Sequence, residues 1–179
     1  YMIIIKPMFY RRKILLALLE SFNDTLSKIE LQKYLFLVTE KQEIPAYEFV
    51  PYKFGGYSFT AWSDLNVLCK NGFIRIDENN ITKTIKESFT PALKPEDRDR
   101  IYSIKKKSAE FKSSRDLMHY VYTLAPYYAL NSTVKENYLT VTELDTIRKQ
   151  RPSGNNVILA TIGYEGISIE AYVNKLIKN

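Results

Sequence analysis

Cysteine and histidine are almost missing from this sequence: Cys69 and His119 stand alone among 179 residues. One thiol excludes an internal disulfide framework and any cysteine-based zinc site. A chain that keeps its thiol free belongs in a reducing, cytoplasmic compartment. Cys69 falls in an apolar helical pattern, where it reads as a small buried hydrophobe. A nucleophile–base pair needs a third group to orient it, and His119, between Met118 and Tyr120 on a helical stretch, has no such motif around it. Packing at the core or its edge explains it. No spaced set of His, Asp and Glu suggests a metal, and Asp97 and Asp99 lie in a helix first turn, where capping accounts for them. Long apolar runs are lacking as well. Tyr1–Ile5 is cut off by Lys6, Pro7 and Arg11-Arg12-Lys13, and Ile14–Leu19 is too short to span a bilayer before it meets Glu20. Neither a signal peptide nor a membrane anchor is expected. Glycine is scarce, six in all. The turn Gly163–Gly166 lacks both the G-x-G-x-x-G fingerprint and a P-loop lysine, so it reads as a tight strand-to-helix turn without a phosphate. The expectation is therefore no catalytic residue, no cofactor site and no metal site in these residues. The activity of the domain that begins near residue 157 is left open.

What is present is a globular composition, 45% hydrophobic and 26% charged, with fourteen tyrosines. The formal charge is +6, compatible with a nucleic-acid partner. It is not concentrated: residues 1–90 carry twelve Lys/Arg against ten Asp/Glu, and residues 91–150 eleven against eight. Ile14, Leu15, Leu18 and Leu19 recur at helical spacing after Pro7, and Asn23-Asp24 breaks that helix. Ser27 with Glu30 three residues on forms a capping box, opening a second helix through Leu31, Tyr34, Leu35, Phe36 and Val38 that is apolar over a wide arc and so buried. Tyr47–Tyr52 suits an extended segment, with a turn at Gly55-Gly56. Ser58 then caps a third helix that Gly72 closes. Phe73–Ile76 and Ile81–Ile85 alternate around the polar turn Asp77–Asn80 and read as a β-hairpin. Helix, helix, strand, helix, hairpin is the order of a winged helix-turn-helix, in which the third helix packs on the second and the hairpin is the wing. Further helices are expected from Pro95 through Lys107, from Ser114 to Leu124 and over Val141–Lys149. After Pro152-Ser153-Gly154 the texture changes to the apolar run Val157–Ile162, a glycine turn and the amphipathic stretch Ile169–Ile177, a β–α unit of a parallel sheet. The expected fold is α+β and mainly helical. It has a winged-helix-like module over residues 7–87, a helical segment over 88–152, and the first β–α unit of a truncated α/β domain over 157–179.

Two stretches resemble known families. Thr161-Ile162-Gly163-Tyr164-Glu165-Gly166 followed by Ser168 resembles the opening of the prokaryotic "domain of unknown function 488" proteins. Leu31-Gln32-Lys33-Tyr34-Leu35-Phe36, Phe49–Phe59 and Tyr127–Ser132 resemble the N-terminal extension that some members carry. That extension is in turn similar to the Panacea-type, antitoxin-like domains, although Gly56 stands where those often have proline. The resemblance implies a bacterial or archaeal protein linked to regulation or conflict systems. It transfers no active site, because the family has no settled activity and its other polar residues would follow Asn179.

Two functions follow as expectations. A winged helix that binds DNA places its third helix in the major groove and its wing near the phosphate backbone, where lysine and arginine neutralise charge. Arg11, Arg12 and Lys13 on the first helix and Arg75, Lys83 and Lys86 on the wing are the candidates. The third helix contributes little, with Thr60, Ser63, Asp64, Asn66 and Lys70 as its polar residues. The alternative is a protein-interaction module, antitoxin-like or self-associating. Aromatics bunch around one turn, and Tyr52, Phe54 and Tyr57 are the candidate anchors. In either case the chain is expected to be a non-catalytic regulatory module.

Overall fold

The computed structural model describes residues 8–151, 163 and 165–178. The fold is α+β and mainly helical, with small antiparallel sheets. The chain divides into two compact units. One comprises the chain up to Ala46 together with Trp62–Glu110, the other Tyr47–Ala61 together with the chain from Phe111 on. These units cut across the linear expectation of a module over 7–87 followed by a helical segment.

The first unit is built around two helices buried on every side. In α1 (Tyr10–Ser21) the six residues Ile14–Leu19 are all buried. In α2 (Lys28–Thr39) burial runs unbroken from Leu31 to Thr39. Helices apolar all round must sit inside a protein, and each buried Leu or Ile contributes about 1.5–3 kcal/mol. The connection between them turns through Asn23 and Asp24, both at positive φ (57° and 63°), a region that Asn and Asp tolerate better than other side chains. Strand β1 (Thr25–Ser27) follows, and Ser27 with Glu30 forms the expected capping box on α2.

The wing is present. Strands β4 (Ile74–Ile76) and β5 (Asn80–Lys83) pair antiparallel with Ile76 opposite Ile81, and β1 adds to the far edge of β5 with Leu26 opposite Ile81. The strand order of this sheet is β1-β5-β4. The close neighbours of α2 include α1, β1, β5 and α4 (Pro95–Ser108), which packs on both α1 and α2, while Lys28 of α2 lies over the Trp62 ring of α3 (Phe59–Lys70). Residues 95–108 thus belong to the core of the first unit. Gly72 ends α3 with φ +75°, as a C-terminal glycine should.

In the second unit β2 (Val50–Tyr52) and β3 (Gly55–Tyr57) form a tight hairpin. The turn residues are Lys53 and Phe54, and the glycines expected to make the turn lie in β3. Gly55, opposite Tyr52, has φ +86°, which a residue with a Cβ rarely adopts. Helices α5 (Ser114–Leu124), α6 (Val141–Arg148) and α7 (Ile169–Lys178) follow. Met118, Tyr122, Ala129, Leu130, Leu139 and Ile147 form a core cluster. Inside it Tyr122 Oη meets Ser132 Oγ at 2.8 Å, and burial pushes the phenol to about 12. The expected strand Val157–Ile162 lies outside the described residues.

Burial inside α2 also lowers the Lys33 amine to about 7. The folded state then binds fewer protons than the unfolded chain between about 7 and the ordinary 10.5, so stability rises with pH across that window, by up to ~1.4 kcal/mol per unit from this one group. Chemical denaturation at successive pH values should show the rise, and Lys33→Met should flatten it. An unchanged slope in the variant would refute the assignment.

Candidate interaction surfaces

The cations expected to face a phosphate backbone are mostly engaged within the protein. Asp64 is buried on α3, where it accepts from Arg11 Nε at 2.5 Å and from Arg12 Nε at 2.7 Å. Burial opposes its ionisation, but the hydrogen bonds and charges of the two guanidiniums hold its carboxyl below the usual range. Both arginines also lie over the Phe9 ring. Lys83 is turned inward, its side chain 4% exposed, with Nζ 2.8 Å from the Ile85 carbonyl, 3.4 Å from Glu20 and 3.8 Å from Asp24. This corrects the expectation that the wing lysines point to solvent. Side chains alternate across a strand, and Lys83 shares the face of Ile81, whose side chain is core. Arg75 is exposed and forks onto Asp77 at 3.1 Å through Nε. Lys86 is exposed and Lys13 half-buried.

Glu20 does more than hold Lys83. Its carboxylate accepts from Ser88 Oγ, Phe89 N–H, Thr90 N–H and Thr90 Oγ1, fixing the segment that leaves the wing. Partial burial works against its charge, yet these donors keep its pKa below the ordinary value.

The outward residues of α3 are Phe59, Ser63, Asn66 and Lys70, one cation on a helix face. The helix start is occupied from within the second unit. Glu170 of α7, fully buried, accepts from Thr60 N–H at 2.7 Å, Thr60 Oγ1 at 3.0 Å and Ser58 Oγ at 3.1 Å. Ser58 Oγ in turn accepts from Ala61 N–H. Ser58 was legible as a cap from its place before the apolar helix. Nothing local in the sequence points to its distant carboxylate partner.

The aromatic candidates come together. Tyr52, Tyr57 and Phe59 form a three-ring cluster with centroids 4.9–5.4 Å apart, and such offset and edge contacts are favourable ring geometries. Phe54 stands on the turn. Tyr52, Phe54 and Phe59 are 38%, 47% and 37% exposed. Tyr57 is half-buried beneath them, and burial raises its phenol pKa. The hairpin is anchored by Asn131 Nδ2 donating to the Pro51 carbonyl and by Thr133 N–H and Oγ1 donating to the Lys53 carbonyl. It presents Lys53 beside the rings, 6.0 Å from the Tyr52 centroid.

An open cavity of about 750 Å³ in the first unit is lined by Phe9, Tyr10, Gln42, Lys94, Asp97 and Arg100 among others. Four of its polar side chains bond to one another: Asp97 accepts from Tyr10 Oη and Gln42 Nε2 at 2.7 Å each and from Arg100 at 2.9 Å. Among the described residues no buried side-chain polar atom lacks a partner and no cluster of His, Cys, Asp and Glu is placed to hold a metal. His119 meets Glu143 at 2.9 Å on the edge of α5, and Glu143 already serves the capping box of α6 with Thr140. No helix of the described residues is long and apolar enough to cross a membrane. Comparison with known protein families and with curated proteins finds no match to this chain.

The Asp64 clamp makes a defined prediction. Asp64→Ala removes a buried acceptor of two guanidiniums and should lower unfolding free energy by about 2–4 kcal/mol. It should also release Arg11 and Arg12, so that duplex DNA binding at low salt increases. Stability within 0.5 kcal/mol of the parent in denaturant titration would show that the clamp does not hold α3 to α1.

Proposed function

We propose that this chain is a non-catalytic interaction module, regulatory in kind, that docks a protein partner through the β2–β3 hairpin. The observation that carries this reading is the joint exposure of Tyr52 at the end of β2, Phe54 on the turn and Phe59 at the start of α3. Single exposed apolar residues are ordinary on a soluble protein, but a contiguous aromatic group is a marker of contact surfaces. Aromatic side chains bring large area at small entropy cost, and the ring cluster and backbone anchors have already removed most of that entropy. The exposed Lys53 adds a cation at the rim. The resemblance to antitoxin-like domains supports a regulatory partner in a prokaryotic cytoplasm.

DNA binding is the second reading. It is favoured by the strand order β1-β5-β4 beside three helices and by the exposed Lys86 and Lys70. The pairing of Arg11, Arg12, Arg75 and Lys83 with carboxylates of the same unit weighs against it.

A photo-crosslinking phenylalanine analogue at position 54, expressed in the native cells, should give a discrete protein adduct that an analogue at exposed Lys149 does not. The paired change Tyr52→Ser and Phe54→Ser should abolish partner binding while unfolding stability falls by no more than about 1 kcal/mol, as suits exposed side chains. Duplex DNA affinity should stay weak and nearly flat between low and moderate salt. A steep loss of tight duplex binding over that range, as phosphate contacts require, together with no adduct at position 54, would overturn the proposal in favour of DNA.

A further inference from the structure

Helix α7 meets the aromatic hairpin at both of its ends. Glu170, the one buried residue of the helix, accepts from Thr60 N–H, Thr60 Oγ1 and Ser58 Oγ. Those donors flank Phe59, the third ring of the cluster. Asn174 is four residues on, about 6 Å along the same face of the helix. It donates to the Phe49 carbonyl at 2.7 Å, one residue before β2 begins. Its Oδ1 accepts from Tyr127 Oη at 2.9 Å, and Lys178 Nζ lies 5.0 Å from the centroid of the Tyr127 ring. Tyr127 stands four residues before Asn131, which with Thr133 holds the Pro51 and Lys53 carbonyls. Ser168, ahead of the helix, donates to Glu48 and caps Ala171 N–H. All these residues belong to the second unit.

We infer that α7 governs the docking surface, with Glu170 and Asn174 as the positioning residues that keep Tyr52, Tyr57 and Phe59 in one cluster. The inference rests on the hairpin reading and adds how that surface is controlled. A two-stranded hairpin is marginal by itself, so its shape depends on what grips its ends. Here β2 is entered from Phe49 and β3 is left at Ser58, and one helix grips both. The grip is polar. A hydrogen bond weakens steeply once distance and angle leave a narrow range, so a shift of the helix by about 1 Å loosens both ends together. The buried side chain also fixes the register. Only the position that brings Glu170 to its three donors avoids burying a carboxyl group without partners. Docked and undocked are therefore discrete alternatives, as a control element requires. The coupling is mutual: displacement of α7 lowers partner affinity, and a partner seated on the rings favours the docked helix.

Hydrogen exchange on the full chain reads the surface without a partner, and the photo-crosslinking analogue at position 54 reads partner binding. Glu170→Ala should speed exchange of the Thr60 amide and of the amides between Val50 and Tyr57 at least about tenfold, as loss of bonds to a carboxylate implies. The Thr133 amide, which donates to the Lys53 carbonyl at the turn, should follow. Amides of α5 should keep their protection, which separates release of the hairpin from unfolding of the unit. Glu170→Ala should also cut the adduct yield at position 54. Glu170→Gln keeps an acceptor oxygen for Thr60 N–H and should restore both readouts, whereas Lys149→Ala should alter neither. Should Glu170→Ala loosen α5 as well, Asn174→Ala, at a half-buried position, decides in its place by the same two readouts. Hairpin exchange left at the parent rate, or a parent adduct that the deciding variant leaves undiminished, would overturn the inference while the hairpin reading stands. No adduct in the parent would sink the hairpin reading and this inference with it.

Discussion

The buried carboxylate of Asp64 is the constraint around which the first unit is arranged. A carboxylate removed from water is costly unless donors and opposite charge surround it, and here two consecutive arginines of α1 do so from one helix to another. Their geometry fixes where α3 lies against α1. It also consumes the two cations that the sequence placed most prominently. The same device recurs. Glu20 gathers four donors from the segment after the wing and draws Lys83 inward, and Asp97 gathers Tyr10, Gln42 and Arg100. In a chain with a surplus of positive charge, the acids act as internal cross-links, so the basic residues they hold are structural before they are anything else.

Much of the architecture was legible from local pattern. The capping box at Ser27–Glu30, the helices opening at Pro95 and Ser114, the wing around Asp77–Asn80 and the closing Gly72 all follow from short-range chemistry, and each is where periodicity and capping rules put it. Strand β1 was not legible. Thr25–Ser27 is three residues long, and it is a strand because β5 lies beside it. The β2–β3 turn fell two residues earlier than glycine chemistry suggested, since positive φ is needed at Gly55 inside the pairing and not at the tip.

The candidate surfaces divide along the same line. The aromatic group at 52–59 could be read directly, because its residues are close in sequence and the hairpin keeps them close in space. The fate of the wing cations could be read only in part. Alternation along Ile81-Thr82-Lys83 already places Lys83 with the core, whereas the pairing of Arg11 and Arg12 depends on a carboxylate more than fifty positions away. Long-range electrostatics leaves no periodic mark in a sequence.

The Glu170 contact carries a consequence for how the molecule assembles. Ser58 supplies a cap for α3 as soon as its own segment exists, but the carboxylate that satisfies Thr60 arrives 110 residues later. A ribosome must therefore reach residue 170 before the opening turn of α3 acquires its final partner. Contacts so distant in sequence form late, after their loop-closure entropy has been met. The nascent helix can fray at that end throughout synthesis, and the docking of α7 is the step that silences it.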